Sequence, residues 1–144
     1  MKNCKRKRSK GFTLAEMMTV VGIMGMISVI AVPQYVRSAR NARESALRAN
    51  LASVRTALQA CMADTGVYPT SLATLANTTP AITTGFDITG AAATISATDW
   101  RGPYIRPIPT DPVSGASFNY AASTGTISAS ATGNDLAGVA FSTY

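Results

Sequence analysis

The residues of this chain whose types and spacing suggest chemistry are Phe12 and Glu16, at the start of a long apolar run. A cut between Gly11 and Phe12 would leave an ammonium group at a helix N-terminus, where the helix dipole repels a cation. Glu16 lies one turn further on, on the same helix face. A carboxylate near the centre of a membrane helix costs about 2.5–3.5 kcal/mol, so it normally has a partner. The spacing therefore suggests cleavage, followed by pairing of Glu16 with an ammonium group of its own or a neighbouring subunit.

A basic cluster precedes these residues, and an apolar run of membrane length follows them. Six of the thirteen Lys and Arg lie ahead of Gly11, with no acid among them. As a helix, residues 17–36 would reach roughly 30 Å, the thickness of the hydrocarbon core of a bilayer. Because positive flanking charge stays on the cytoplasmic side, the sequence predicts a cytoplasmic N-terminus. It also predicts that the residues after Val36 lie on the other side of the membrane.

The net charge of +6 comes entirely from this N-terminal cluster. Without residues 1–11, seven arginines balance seven acids. A run of Lys and Arg can indicate nucleic-acid binding, but before a membrane span it is typical of an orientation signal, so we expect no nucleic-acid partner. Cys4 would leave with the leader. Cys61 would then be the one remaining cysteine, and we expect it to be buried without a disulfide.

The hexapeptide GFTLAE at residues 11–16 resembles the cleavage signal of type IV pilins and type II secretion pseudopilins. The resemblance implies that a membrane peptidase cuts after Gly11 and methylates the new N-terminal residue, Phe12. It also implies that Glu16 guides subunit docking and that Pro33 is the family's helix-kinking proline. The expected kink would leave the carbonyl of Val29 without its usual partner.

A plain signal anchor is the alternative interpretation of this segment. A secretory signal would place its cut after the apolar region, at small residues. Here the family-like cut lies before the apolar run, so the run would be retained. Ala15 is the one departure from the pattern, since a larger aliphatic residue is usual there.

Beyond Pro33 the helical pattern continues with three distinct faces. One face is apolar and consists of Val36, Leu47, Leu51, Val54, Leu58 and Cys61. A second is almost entirely alanine, which permits close packing of helices. A third carries Arg37, Arg48 and Arg55, which either face solvent or contact an acidic neighbour. We expect a head to cover the apolar face from Leu47 onward and the helix to stop at Gly66.

The rest of the chain predicts a small antiparallel sheet packed on the apolar face. The expected elements are a short helix that starts at residues 69–71 and runs through Ala76, a loop at 77–99 with a strand at 93–97, an extended segment at 100–115, hairpin strands at 117–121 and 126–131, and a third strand at 139–141. The fold class is therefore α+β, a type IV pilin-like lollipop. Its long N-terminal helix is half transmembrane and half amphipathic.

Four domains follow from this organisation. They are a leader peptide that is removed (1–11), a transmembrane or filament-core half of the helix (12–36), an amphipathic half (37–65) and a periplasmic globular head (66–144).

Short segments of the head narrow the resemblance to the major, G-type pseudopilin. They are residues 68–70, 102–105, 108–112 and 118–120. We expect the aromatic residues Trp100, Tyr104, Phe118 and Tyr120 to be core, and Asp111 to form a turn. The resemblance also implies a calcium site in a C-terminal loop, for which Asn134 and Asp135 are the candidate ligands. One carboxylate and one amide are few hard oxygen ligands for this ion, and Val113-Ser114 replaces the family's tryptophan-glycine.

Catalysis is not expected. Beyond residue 11 the sequence has no His and no Lys, so the usual general bases and nucleophile pairs are missing. The tripeptide Asp64-Thr65-Gly66 matches that of aspartic proteases. Aspartic-protease chemistry needs two such loops, whose two aspartate carboxylates share one proton. Termination of the helix is therefore the better interpretation of this tripeptide.

The resemblance implies a structural subunit that forms a helical homo-oligomeric filament, as the major pseudopilin of a type II secretion system. Its partners would be the prepilin peptidase and methyltransferase, the inner-membrane assembly platform and the minor pseudopilins. It would wait in the inner membrane with a periplasmic head and then enter an extracytoplasmic filament. The alternatives are a major or minor type IV pilin, for adhesion, motility or DNA uptake, and a monomeric anchored binding domain.

Overall fold

The computed structural model describes residues 11–80 and 84–144 of the chain. The predicted leader therefore lies outside the described residues, except for Gly11. The contacts divide the chain into an N-terminal unit that ends at Ala39 and a C-terminal unit, Arg40–Tyr144, which we call the head unit. One helix, α1 (Leu14–Thr65), contributes residues to both units.

In the N-terminal unit α1 is apolar and exposed. Every described residue up to Ala39 is exposed, including large side chains such as Met18 and Ile30. By length and composition α1 could cross a membrane, since its most apolar window has a mean hydropathy of 2.0 with none of it buried. Pro33 lies inside the helix. A bend at this residue stays a prediction.

The end of α1 follows the expected pattern. Gly66 has a φ of 71°, a left-handed conformation that costs glycine little, and its N–H donates to the Met62 carbonyl over 2.8 Å. Asp64 lies in the last turn and accepts a hydrogen bond from the Tyr104 hydroxyl at 3.0 Å. The tripeptide at 64–66 therefore ends a helix, as predicted.

The core of the head unit is built on one face of α1. The buried apolar residues of that face are Leu47, Leu51, Val54, Ala57, Leu58 and Cys61. They join buried side chains from the rest of the unit, among them Leu75, Ile95, Trp100, Phe118, Ile127 and Phe141. The expected apolar face and the core roles of the aromatic residues are confirmed, although Tyr104 and Tyr120 are only partly buried. Burial also raises the pKa of the Cys61 thiol.

Within the described residues the strands form two small antiparallel sheets rather than the single sheet that we expected. Strands β1 (Tyr68–Pro69), β2 (Thr84–Phe86) and β3 (Ala92–Thr94) form one sheet in the order β1-β2-β3. Strands β4 (Asn119–Ala121) and β5 (Thr126–Ser128) form the other. The predicted hairpin is confirmed with shorter strands, and the short helix is a 3-10 helix at Leu72–Ala76.

The prediction of a loop at 77–99 is wrong at Thr84–Phe86, where β2 lies. The strand expected at 93–97 corresponds to β3, which is shorter and begins one residue earlier. One oxygen of Asp87 accepts the N–H groups of Thr89 (2.8 Å) and Ala91 (2.9 Å), which closes the turn between the strands. Gly85 lies so close to Tyr68 of β1 that a Cβ would clash with the Tyr68 main-chain oxygen. The sheet thus depends on the turn after β2 and on the close approach of Gly85 to Tyr68. Neither feature produces a hydrophobic periodicity that the sequence would show.

The predicted strand at 139–141 is also wrong. This segment makes one isolated bridge, between Asn134 and Ala140, and then enters a 3-10 helix at Phe141–Thr143. Residues 133–141, which we call the C-terminal loop, are held together by hydrogen bonds of another kind. Val139 N–H donates to Asp135 Oδ1 and Phe141 N–H donates to the Gly133 carbonyl.

We expect Leu51→Ala to lower the free energy of unfolding by about 2–5 kcal/mol, because it leaves a cavity in a packed core. Leu51 is 1% exposed, whereas Leu136, the control for the same substitution, is 44% exposed. Urea unfolding in detergent, followed by the fluorescence of Trp100, measures both variants. Equal losses for the two leucines would contradict the placement of the core.

Candidate functional sites in the N-terminal unit and the head unit

The N-terminal motif spans the start of α1: Glu16 lies in the first turn of the helix. Gly11 and Phe12 are exposed and precede the helix. Thr13 and Glu16 cap the helix reciprocally: Thr13 N–H donates to Glu16 Oε2 (2.8 Å), and Glu16 N–H donates to Thr13 Oγ1 (3.2 Å). The Thr13 hydroxyl adds a third hydrogen bond to the same carboxylate, at 2.9 Å.

This geometry suits cleavage of the Gly11–Phe12 bond by an enzyme. The bond lies outside regular structure, and a Cβ built at Gly11 would meet no atom within 4 Å. Within the described part of the chain the carboxylate of Glu16 makes no ion pair. The roles of Gly11, Phe12 and Glu16 in cleavage, methylation and docking therefore stay predictions.

The head unit holds a second polar cluster, around Asp135 in the C-terminal loop. Asp135 is 5% exposed. Its Oδ1 accepts the N–H groups of Ala137 and Val139, both at 2.8 Å, and its own N–H donates to the Val139 carbonyl at 2.8 Å. Asp135 therefore organises the loop that carries it.

The other carboxylate oxygen of Asp135 faces a cation and a hydroxyl. Its Oδ2 accepts from Arg48 Nη2 at 2.7 Å and from the Tyr144 hydroxyl at 2.5 Å. The Tyr144 hydrogen bond, with those of the Val139 and Ala137 N–H groups and the charge of Arg48, holds the pKa of Asp135 below its ordinary value against the effect of burial. The same guanidinium donates to the Tyr144 hydroxyl and lies 5.0 Å from the centre of its ring.

Glu44 is a site residue that the sequence reasoning missed. It is 5% exposed, and its two carboxylate oxygens each lie 3.2 Å from the N–H of Leu136 in the C-terminal loop. Arg40 pairs with Glu44 at 3.0 Å and also donates to the carbonyl of Asn134 at 2.7 Å. The spacing in the sequence could have predicted this burial, because Glu44 lies three residues before Leu47 and so on the apolar face of α1.

The C-terminal loop does not fit the calcium ion that the resemblance implies. Calcium takes six to eight oxygen ligands, yet both Asp135 oxygens already accept hydrogen bonds and Arg48 lies against one of them. The main-chain oxygen of Asn134 accepts from Arg40. Among residues 11–80 and 84–144, no three His, Cys, Asp or Glu residues come close enough together to hold a metal.

Asp111 does more than form the expected turn. It is fully buried, and its Oδ1 accepts the N–H groups of Val113 (2.8 Å) and Ser114 (3.2 Å). Its Oδ2 accepts from Ser130, through both N–H and hydroxyl, and from Ala131 N–H at 2.8 Å. Burial acts to raise the pKa of Asp111, but these hydrogen bonds outweigh it and the pKa lies below its ordinary value. Asp111 thus joins the turn at 111–115 to the segment after β5.

The arginine face of α1 is now partly assigned. Arg48 contacts Asp135 of its own chain, and Arg55 donates to the main-chain oxygens of Ile127 and Tyr144. Arg37 belongs to the N-terminal unit and is exposed.

Comparison with known families gives two matches. Residues 6–32 match the model described as the prokaryotic N-terminal methylation motif. Residues 34–138, more than half of the chain, match the model described as type II secretion system protein G.

Individual relatives match over shorter stretches. A type IV major fimbrial protein FimA of Dichelobacter nodosus is 40% identical over 55 residues, which cover 38% of this chain and 35% of that protein. The type IV major pilin protein PilA of Myxococcus xanthus is 33% identical over 61 residues, 42% and 28% of the two chains. The type II secretion system core protein G of Pseudomonas aeruginosa is 30% identical over 67 residues, 46% and 47%. The matched stretch is thus less than half the length of each relative, and no solved structure matches the chain.

We expect Asp111→Asn to lower the free energy of unfolding by about 2–4 kcal/mol at neutral pH, since an amide nitrogen would face N–H donors. The folded pKa of Asp111 lies below the unfolded value of about 3.9. The carboxylate's stabilisation is therefore complete above that value and is lost as the pH falls through the folded pKa.

Urea unfolding of Asp111→Asn and of the unsubstituted protein measures the effect, from neutral pH down to the acidic pH at which Asp111 is protonated. Asp99→Asn is the control at an exposed aspartate. A difference between Asp111→Asn and the unsubstituted protein that did not shrink in acid would contradict the role of the ionised carboxylate.

Proposed function

The chain belongs to the family of the type II secretion system protein G, and we propose from this membership that it is the precursor of a major pseudopilin. The mature protein is a structural subunit of a pilus-like filament and has no catalytic role. The observation that carries the proposal is the family match over residues 34–138, which directly follows a methylation motif over residues 6–32.

Processing is the first step in the proposal. A prepilin peptidase cuts the exposed Gly11–Phe12 bond and N-methylates Phe12. The support is that both residues precede α1 and are exposed, so an extended substrate conformation needs no unwinding of the helix.

Membrane storage and assembly follow. The N-terminus stays in the cytoplasm, the first part of α1 lies in the inner membrane, and the head is periplasmic. The support is an apolar, exposed helix preceded by a basic cluster. In the filament the apolar helices of many copies bury one another, which removes from water the side chains that lipid covered before. The inner-membrane platform and the minor pseudopilins are the expected partners in this step.

A type IV pilin is the second candidate function. The similarity to FimA and to PilA favours it, since these relatives are named a type IV major fimbrial protein and a type IV major pilin protein. The family match to protein G covers more of the chain, and this supports the secretion filament as our first candidate.

A deletion strain tests the choice between these two filaments. We expect loss of exoprotein secretion with surface fibres intact, because a pseudopilus works in the cell envelope. Re-expression of the chain from a plasmid is the control and should restore secretion. Loss of surface fibres with normal secretion would favour the type IV pilin.

We expect Glu16→Ala to be cleaved and methylated but to assemble poorly. The substitution removes the only carboxylate of the apolar segment and leaves the Gly11–Phe12 bond unchanged. Intact mass of protein from native membranes should show, for both this variant and the unsubstituted chain, a product that starts at Phe12 and carries one added methyl group. Filament yield on cross-linking should fall for the variant alone.

Thr19→Ala is the control, because it removes a polar group of the same helix that bonds only to the Ala15 carbonyl. Normal filaments from Glu16→Ala would refute the docking role. An uncleaved, unmethylated chain would instead favour a plain signal anchor.

A further inference from the structure

Three successive turns of α1 hold three successive residues of the C-terminal loop. The helix residues are Arg40, Glu44 and Arg48, spaced by four and therefore on one face. Arg40 donates to the carbonyl of Asn134, Glu44 accepts from Leu136 N–H, and Arg48 donates to the carboxylate of Asp135. All six residues lie in the head unit. The loop is thus attached to the helix by a row of charged side chains rather than by apolar packing.

The charges of this row are balanced within the chain. Two guanidinium groups, of Arg40 and Arg48, face two carboxylates, of Glu44 and Asp135. The side chain of Asp135 has no exposed surface, and that of Glu44 is 7% exposed. Buried carboxylates need a compensating charge and hydrogen bonds, and both have them here. No negative charge is left over to attract a divalent cation.

A calcium ion at Asp135 would have to displace what is already bound there. Its positive charge would stand beside the Arg48 guanidinium, whose nitrogen is 2.7 Å from Oδ2, and like charges at that range repel strongly in a buried place. At Oδ1 the ion would compete with the N–H groups of Ala137 and Val139, which shape the loop. The mismatch is therefore one of donor chemistry and of charge.

We propose that Arg48 is the resident cation of the C-terminal loop and that the loop docks on α1 without any divalent ion. The guanidinium supplies the positive charge, and Tyr144 completes the site. The Tyr144 hydroxyl donates to Asp135 Oδ2 and accepts from Arg48, while its ring lies beneath the guanidinium. This inference goes beyond the proposed function, since it concerns how the head is stabilised and holds for either kind of filament.

An exposed ion pair would contribute little to stability, but this pair is not an exposed one. Surface pairs stabilise a protein little because both partners are solvated. Here the Arg48 side chain is 51% exposed and that of Asp135 is 0% exposed. Removal of the guanidinium would leave a buried carboxylate with its charge uncompensated, which is the costly case.

The first test is a calcium titration of the full chain in detergent micelles. Melting temperature and amide hydrogen exchange of residues 133–141 are measured in EDTA and in millimolar calcium chloride. We expect the two conditions to coincide in both measurements. A melting temperature that rises with calcium, together with slower exchange in the loop, would overturn the proposal.

The second test removes the cation. We expect Arg48→Gln to speed amide exchange of Leu136 and Val139 by roughly ten- to a hundredfold, as expected for loss of hydrogen bonds to a charged group. Arg43→Gln is the control, because Arg43 lies on the same helix, is exposed, and makes no side-chain hydrogen bond or ion pair among the described residues. Equal exchange in the two variants would overturn the role of Arg48.

A conservative variant keeps the test decisive if Arg48→Gln fails to fold. Arg48→Lys retains the charge but can no longer reach Asp135 and Tyr144 with one planar group. We expect its loop exchange to lie between those of the unsubstituted chain and Arg48→Gln, still without an effect of calcium. Exchange in Arg48→Lys that calcium restored to the unsubstituted rate would show that a metal, not the guanidinium, is the preferred cation.

Discussion

The head unit depends on burial of one face of α1, from Leu47 to Cys61. Helices are stable in water mainly when such a face is covered. In residues 67–80 and 84–144, which cover it, the regular elements are short strands and 3-10 turns. The described part of these segments has little regular hydrogen bonding of its own: one sheet of three short strands and one of two. The helix face therefore acts as the template, and the rest of the unit is ordered by packing against it and by specific polar contacts.

Two of the buried carboxylates each accept several of those polar contacts. Asp111 joins a turn to the segment after β5, and Asp135 shapes the C-terminal loop and binds Arg48. In both, N–H groups of irregular backbone, which would otherwise be buried unpaired, find an acceptor. A head poor in charge thus uses its few acids as structural centres, while Asp64, at the exposed end of α1, accepts a single hydrogen bond from Tyr104.

The two units follow different physical rules. In the N-terminal unit the side chains of α1 are apolar and exposed, which suits lipid or the helices of other copies. In the head unit the same helix alternates a buried apolar face with charged residues that contact the chain's own loop. The alanine face that runs along the amphipathic part would let a helix of a neighbouring copy approach closely, since its side chains are small.

The sequence by itself determined the long helix, its stop at Gly66, the buried face and the resemblance of residues 11–16. These features are written in local periodicity, charge and glycine position. Tertiary structure alone decided the pairing of β2 with β1 and β3, the burial of Glu44 and the partner of Arg48. Residues 44 and 136, or 48 and 135, are distant in the chain, and no periodic pattern records which loop meets which turn of a helix. A charge on a helix is equally compatible with solvent and with a buried partner, and only the packed fold chooses between them.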